Sequence, residues 1–340
     1  MKNLLNIMPC GLAIAALTAA ASCSTDDNDN PNPKVYVAGC DGNRAMLWKN
    51  GVAQALPYGT FAHSVFVAGR DVYAVGYQNE AAVLWKNGEA YELPDMASPA
   101  IGGNIATSSV YVFGGKVYVA GVKIAPSPAT FDTAYAALWN SGKVLPLTDG
   151  ESDAGANSLC VAGADVYVAG YNGDRAMLWK IEPLYRNARV LPGGITASSV
   201  CVAGDDVYVA GTGYADRPGK TKAMLWKNGE AQEAFTDDVV DAEAYSVCVS
   251  GSDVYVAGTK YEWGKTKAML WKNGVAQELT DDVSDAEAYS VCVTEDDVYV
   301  AGAGYRGWGD KTKAILWKNG EARELTDGTS AAKANAVFVK

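Results

Sequence analysis

A five-residue phrase, Val-Tyr-Val-Ala-Gly, is followed after a gap of variable length by a second, Leu-Trp-Lys-Asn-Gly, and the pair recurs seven times with local variation in this 340-residue chain. The first phrase stands at residues 35–39, 72–76 (as Val-Tyr-Ala-Val-Gly), 117–121, 166–170, 207–211, 254–258 and 298–302. The tryptophans of the second are Trp48, Trp85, Trp139, Trp179, Trp226, Trp271 and Trp317. From Trp48 to Trp317 is 269 positions in six steps, about 45 residues per unit. A fixed period means one supersecondary unit stacked on copies of itself, and this period is that of a four-stranded propeller blade rather than of a leucine-rich or helical repeat.

The sixth unit shows how such a blade is written. Ser246-Val247-Cys248-Val249 is a short β-branched run, Gly251-Ser252-Asp253 a tight turn, and residues 254–258 a second run with Tyr255 on one face. Residues 268–272 form a third strand. Asn273-Gly274 is then a two-residue hairpin turn of the left-handed type, since both central residues must tolerate positive φ, and residues 276–279 close the unit as an outer strand. Asn-Gly recurs at residues 50–51, 87–88, 228–229 and 319–320 and becomes Ser141-Gly142 in the third unit; the fourth departs, with the insertion 181–187. The chain is therefore expected to be all-β, a seven-bladed β-propeller with four antiparallel strands per blade.

The chain ends predict how the ring closes. First-strand segments begin at Ser64, Ser109, Ser158, Ser199, Ser246, Ser290 and Ala336, but none precedes the first Val-Tyr-Val-Ala-Gly. Residues 336–339 should supply it by pairing with residues 35–39, which removes the open edges that a linear stack of sheets would present.

A tryptophan that recurs on the same strand of every blade is expected to be core. Burying about 150 to 250 Å² each at roughly 25 cal/mol per Å² gives at most about 4 to 6 kcal/mol apiece before entropy. Cys160, Cys201, Cys248 and Cys292 share one strand position with Phe66, Tyr111 and Phe338. Strands of successive blades lie about 10 Å apart, beyond the roughly 7 Å that a disulfide allows, so these thiols are expected to be apolar fillers, neither bridges nor metal ligands. Cys40 is placed in a loop and has no assigned role.

Residues 1–22 have the pattern of a signal peptide, with Lys2, an apolar stretch from Leu12 to Ala21, and small residues before Cys23. That stretch is too short to span a bilayer. The run Ala20-Ala21-Ser22-Cys23 resembles the bacterial lipoprotein processing box, which implies lipidation of Cys23. Residues 23–33, with Ser24-Thr25-Asp26-Asp27-Asn28-Asp29-Asn30, resemble the acidic tether of surface-exported Bacteroidota lipoproteins. The propeller then occupies 34–340. The resemblance implies a lipid-anchored protein of the outer membrane, exposed at the cell surface, with a periplasm-facing orientation as the alternative. The net charge of -11 repels polyanions, so nucleic acid is not an expected partner.

Three repeat families share parts of the pattern. Residues 166–173 are similar to the second strand and glycine corner of kelch repeats, without the double glycine. Leu-Trp-Lys-Asn-Gly resembles the Trp-Asp strand of WD repeats with Lys in place of Asp, and a chain with one histidine cannot repeat that family's His-Asp bond from blade to blade. Across residues 34–340 the likeness is to the Val-Tyr-Val-Ala-Gly/Leu-Trp-Lys-Asn-Gly repeat lipoproteins of Bacteroidota, which implies a propeller and no particular activity.

Strand polarity puts short turns on one face and long, varied loops on the other, and binding residues belong on such loops over a rigid scaffold. The long loops between second and third strands are residues 122–135, 212–222, 259–267 and 303–313. Tyr214, Tyr261 and Tyr305 recur at one loop position, while Trp263 and Trp308 occur only in units six and seven, so blade packing does not require them. These five are candidate ligand contacts, since aromatic rings stack on sugar faces or anchor protein partners. Lys-Thr-Lys at 220–222, 265–267 and 311–313 shares the face with Asp237, Asp238, Glu243, Asp281, Asp282 and Glu287, and such pairs are expected mainly to hold loops in register. The acidic loops lack the alternating Asp pattern and glycine of a calcium site, so no metal is expected. The residues just before each first strand, His63, Ser108, Asn157, Ser198, Tyr245, Tyr289 and Asn335, form a polar ring at the mouth of the channel, where His63 is the single group titrating near neutral pH.

No Ser-His-Asp motif, Cys-His context or zinc spacing is present, and the carboxylates are repeated copies rather than an acid and base in distinct environments. No catalytic residue and no cofactor is assigned. A non-enzymatic surface protein that binds a glycan or an envelope or host protein through the long-loop face is expected, as a monomeric domain. The alternatives are a carbohydrate-active hydrolase or lyase acting at the channel mouth, and a structural spacer without a small ligand.

Overall fold

The computed structural model describes residues 33–78, 81–97, 109–125, 133–232, 241–280, 285–305 and 311–340. Among them there is no helix, and the strands form seven four-stranded antiparallel blades arranged in a ring. The protein is a seven-bladed β-propeller. Blade 6 has strands Asp241–Ser250, Asp253–Glu262, Lys265–Lys272 and Val275–Glu278, paired in that order. Blades 2 and 3 also join, where the nine-residue fourth strand Glu89–Ala97 reaches across to pair Ala97 with Val122.

Closure is made by Ala332–Val339, which lies antiparallel to Val35–Asp41 and pairs Val35 with Val339 and Ala38 with Ala336. The seam is thus one strand from the C-terminus and three from the N-terminus. Backbone bonds between Lys34 and Lys340 extend it in both directions.

Alternation along the third strand assigns its side chains to two different interfaces. Each tryptophan of Leu-Trp-Lys faces the preceding blade, and the leucine beside it faces the following one. The result is seven apolar clusters, one per blade junction, with Trp85 against Leu56 and Trp226 against Leu191 as examples. All seven tryptophans are buried. Several also bond across the junction, as Trp85 Nε1 donates to Pro57 O at 2.8 Å, Trp226 Nε1 to Pro192 O at 2.9 Å and Trp317 Nε1 to Leu279 O at 3.1 Å. The four cysteines pair in register with the tyrosines of the second strand and form no disulfide, and burial pushes Cys160 up to about 11 and Cys201 to about 12. Cys40 is not in a loop. It lies within the strand Val35–Asp41 and is buried, because that strand runs two residues past its glycine to pair with Lys333 and Ala332.

On the short-turn face the Asn-Gly turns take the left-handed conformation at both positions, with Asn273 at φ 52 and Gly274 at φ 81. A second recurrent device sits there. The aspartate preceding Val-Tyr accepts from the turn asparagine and pairs with the lysine of Leu-Trp-Lys, which lies over the intervening tyrosine ring. In blade 6 these are Asp253 with Asn273 at 2.8 Å, Lys272 at 2.7 Å, and the Tyr255 centroid 5.2 Å from that ammonium. Blades 2, 5 and 7 repeat it with Asp71, Asp206 and Asp297, and in each the lysine holds the carboxyl below its ordinary range.

The innermost strand of each blade has an unpaired edge, and serine hydroxyls satisfy part of it. Ser64, Ser109, Ser158, Ser199, Ser246 and Ser290 each accept from a backbone N–H of the next blade, of Val110, Leu159, Val200, Val247, Val291 and Val337, at 3.1–3.4 Å. The seventh position is Ala336, which has no hydroxyl to offer across the junction with blade 2. Ala336→Ser is therefore expected to complete the ring and raise stability by about 0.5 to 1.5 kcal/mol, measured by urea unfolding against the wild type.

Candidate functional site

The first strands begin earlier than the sequence suggests, and this relocates the polar ring. His63, Asn157, Ser198, Tyr245, Tyr289 and Asn335 do not precede their strands; each is the extra residue of a β-bulge inside one. In blade 6, Ala244 pairs with Gly258 and Ser246 with Ala257, leaving Tyr245 unpaired between them. The same shift occurs at Ala62/Ser64, Ala156/Ser158, Ala197/Ser199 and Ala288/Ser290, and opposite Ala38/Gly39. A bulge bends its strand and re-aims the extra side chain. Ser108 lies outside the described residues.

The ring is tied by bonds within the protein. Asn157 donates to Ala197 O at 3.0 Å and Asn335 to Ala62 O at 2.9 Å, so each reaches the residue just before the bulge of the next blade. Tyr245 donates to Glu243 at 2.6 Å and Tyr289 to Glu287, while Lys333 donates to the Tyr289 oxygen at 3.1 Å. The tyrosine hydroxyls are pushed far above their ordinary range, first by burial and then by the adjacent glutamates. The arc from blade 6 to blade 1 therefore carries aromatic and charged groups, whereas blades 4 and 5 present Asn157 and Ser198.

His63 differs from the expectation for a neutral-pH titrating group. Its ring stacks on Tyr77 with centroids 5.1 Å apart, its Nε2 is buried without a partner among the described residues, and burial lowers its pKa from 6.5 to about 4. It is neutral at physiological pH. The ring thus holds a neutral imidazole rather than a group titrating near pH 6.5.

The loop aromatics stand above this ring. In blade 6 the second and third strands continue to Glu262 and from Lys265, so residues 259–267 form a strand hairpin rather than a loop, with Trp263-Gly264 as its two-residue turn. Blades 5 and 7 likewise extend, to Tyr214 and Tyr305. Tyr214, Tyr261 and Tyr305 are exposed, and Trp263 is 93% exposed. Trp308 lies outside the described residues. Along the blade 6 strand, Thr259 and Tyr261 fall on one side by the two-residue period, and the Thr259 hydroxyl donates to the Tyr245 oxygen at 3.3 Å. One line of side chains thus runs from the bulge toward the hairpin tip.

Charged groups anchor these hairpins to their neighbours. Asp241 of blade 6 pairs with Lys220 and accepts from Thr221 N, and Asp285 of blade 7 accepts from Thr266 N at 2.7 Å. Lys267 pairs with Glu278 at 2.9 Å and Lys313 with Glu324 at 2.7 Å. Among the described residues no cluster of three or more His, Cys, Asp or Glu side chains could hold a metal ion. On the opposite face the blade 4 insertion turns through Glu182 and Tyr185 and leaves Leu184 and Tyr185 exposed.

No protein-family model matches this chain, and no curated protein matches it. Solved structures do. The acylaminoacyl peptidase of Pyrococcus horikoshii aligns over 89% of this chain and 52% of its own, with 14% identity and a TM-score of 0.54. A structure from an analysis of two prolyl endopeptidases aligns over 90% and 50%, with 13% identity and a TM-score of 0.50. The chain spans about half the length of these peptidases, and identity this low shows the propeller fold alone.

The His63 arrangement makes a pH prediction. A neutral native histidine must be charged in the unfolded chain below pH 6.5, so the unfolded state binds the extra proton and stability falls as pH drops from about 6.5 to about 4. Thermal melts of wild type and His63→Gln should diverge across that window, the variant losing less, and run parallel below it.

Proposed function

We propose that this protein is a binding module whose long-hairpin face, centred on blades 5 to 7, engages a glycan or an envelope or host protein, and that a lipid on Cys23 holds it at the outer membrane. The supporting observation is Trp263. It occupies the first position of a two-residue turn at φ 53, the position that asparagine fills in the short-face turns at φ 52 to 55. Holding a side chain other than glycine or asparagine there costs about 1 to 2 kcal/mol. The ring is 93% exposed and recovers none of the stabilisation that burial gives the blade tryptophans. A tryptophan that weakens the fold in this way is accounted for by contact with something outside the chain.

Tyr214, Tyr261 and Tyr305 extend the surface over three adjacent blades. Rings spaced along a polar face suit the apolar faces of sugars or an anchored protein partner. The blade 5 and blade 6 hairpins, which carry Tyr214 and Tyr261, are pinned by Asp241 and Asp285, which limits the entropy lost on binding.

Trp263→Asn separates ligand contact from folding, because asparagine relieves the left-handed strain and keeps the turn. In isothermal titration against a polysaccharide panel and envelope extracts, wild-type binding is expected to weaken at least about tenfold in this variant, while its melting temperature stays level or rises. Equal binding by both forms, or no binding by either, would count against the reading.

A further inference from the structure

The charges of the short-turn face are divided unevenly around the ring. In blades 2, 4, 5, 6 and 7 the aspartate before Val-Tyr pairs with the lysine of Leu-Trp-Lys at 2.7–2.9 Å, so the two charges cancel. Blades 1 and 3 break that rule, because Lys34 and Lys116 stand where the aspartate would be. Blade 2 adds Arg70 to its first turn, at the position of Asp205 in blade 5 and Asp296 in blade 7. Lys49 and Lys143 flank the second turns of blades 1 and 3. Lys49, Arg70, Lys116 and Lys143 are exposed, and among the described residues none of them forms an ion pair. Blades 5 and 7 show the reverse, with Asp205, Glu295 and Asp296 exposed beside aspartates already paired.

The basic arc also carries apolar side chains that the blades do not require. Phe113 ends the first strand of blade 3, at a position filled by Ala68, Ala162, Ala203 and Ser250 in other blades, and it is 40% exposed. In the adjacent blade 4 the insertion closes a turn in which Glu182 N donates to Tyr185 O at 2.8 Å, and the turn holds Leu184 84% and Tyr185 72% exposed. Arg186 follows and donates to Pro146 O, which fixes the insertion against blade 3. In an antiparallel blade the turns after the first and third strands lie at the same end, so all these groups share one face. The chain enters the fold there too. Val35 N donates to Asn50 Oδ1 at 2.9 Å, and Lys340 Nζ donates to Gly69 O beside Arg70.

We propose that the short-turn face of blades 1 to 4 docks on an anionic lipid bilayer, with the lysines and Arg70 against headgroup phosphates and Phe113, Leu184 and Tyr185 in the interfacial layer. Aromatic and aliphatic tips flanked by basic groups suit that boundary, and each Lys or Arg near an anionic surface strengthens binding about fivefold. The net charge of -11 does not oppose the contact. Screening at physiological salt confines these forces to about 8 Å, so the acidic arc across the ring is hidden from a surface that meets the basic one. The hairpin face lies at the opposite ends of the strands and is left open to its own ligand. The contact does not need the lipid on Cys23.

The test is flotation with vesicles of phosphatidylcholine alone and of an equimolar mixture of phosphatidylcholine and phosphatidylglycerol. The protein is the chain from Ser24 onward, which keeps every described strand and carries neither the apolar leader nor a lipid. Binding to the anionic vesicles and not to the neutral ones is expected, falling as salt rises. Arg70→Asp combined with Lys116→Asp installs the residue that other blades carry at each position, so the fold should hold while binding weakens at least about tenfold. Lys143→Glu, matching Glu230 and Glu321, is the second charge variant should that one unfold. Phe113→Ala combined with Leu184→Ser should weaken binding at least about fivefold. Trp263→Asn should bind vesicles as the wild type does, which keeps this result apart from the hairpin-face experiment. Equal binding to both kinds of vesicle, binding to neither, wild-type binding by a folded charge variant, or loss in Trp263→Asn alone would overturn the proposal. So would loss in the charge variant with none in the apolar one, the mark of a general polyanion site.

Discussion

The structure depends on one close approach, seen among the described residues in six of the seven blades, between the glycine of Val-Tyr-Val-Ala-Gly and a carbonyl of the neighbouring first strand. A β-carbon on Gly258 would collide with Glu243 O, and the same holds for Gly39 with Lys333 O, Gly76 with Phe61 O, Gly170 with Gly155 O, Gly211 with Thr196 O and Gly302 with Glu287 O. These glycines do not supply a left-handed φ; what they supply is space. Into that space the first strand folds its bulge, which takes one residue out of the ladder and turns it along the ring. Past the bulge the strand resumes with a serine whose hydroxyl bonds the next blade. The glycine thus sets the register on which the channel-mouth groups and the inner-edge hydrogen bonds both rest.

Much of this architecture is legible in the repeat itself. The period, the β-branched runs and Asn-Gly turns such as Asn273-Gly274 specify blades, and the lone Val-Tyr-Val-Ala-Gly at the N-terminus specifies which strand closes the ring. The bulge is harder to read. The residues around Tyr245, Ala242-Glu243-Ala244, are not β-branched, so the strand reads from Ser246, and only the glycine twelve positions after the recurrent serine hints at a partner that comes too close. Cys40 was displaced for the same reason, being placed beyond a strand that in fact continues past its glycine. The Asp-Lys-Asn-Tyr cluster had a clear signal, an aspartate before Val-Tyr at Asp71, Asp165, Asp206, Asp253 and Asp297, but its partners are separated by a hairpin and meet only in three dimensions.

The site is less legible than the scaffold because its content lies where the repeats differ. Thr212, Thr259 and Ala303 occupy one register position, and Lys333, Glu243, Glu287 and Thr196 another, yet each substitution changes the local charge or hydrogen bonding without disturbing the blade. Sequence places Trp263 in a loop and marks it as unneeded for packing. It does not reveal that the loop is a two-residue turn, and so hides the strain that makes this tryptophan informative. Burial has the opposite effect on His63, which looks like a titrating group in the sequence and is held neutral against Tyr77.

The glycine that ends Val-Tyr-Val-Ala-Gly meets a contact requirement and is not a flexible link. Alanine ordinarily improves on glycine inside a strand by about 0.5 to 1 kcal/mol, so the sign of a single substitution separates the two views. The direct measurement is the urea unfolding free energy of Gly258→Ala beside the wild type. A loss of at least about 2 kcal/mol is the result expected when a β-carbon meets the Glu243 carbonyl and forces the bulge out of register. Stability equal to or above the wild type would mean that the bulge does not depend on this contact, and would contradict the account.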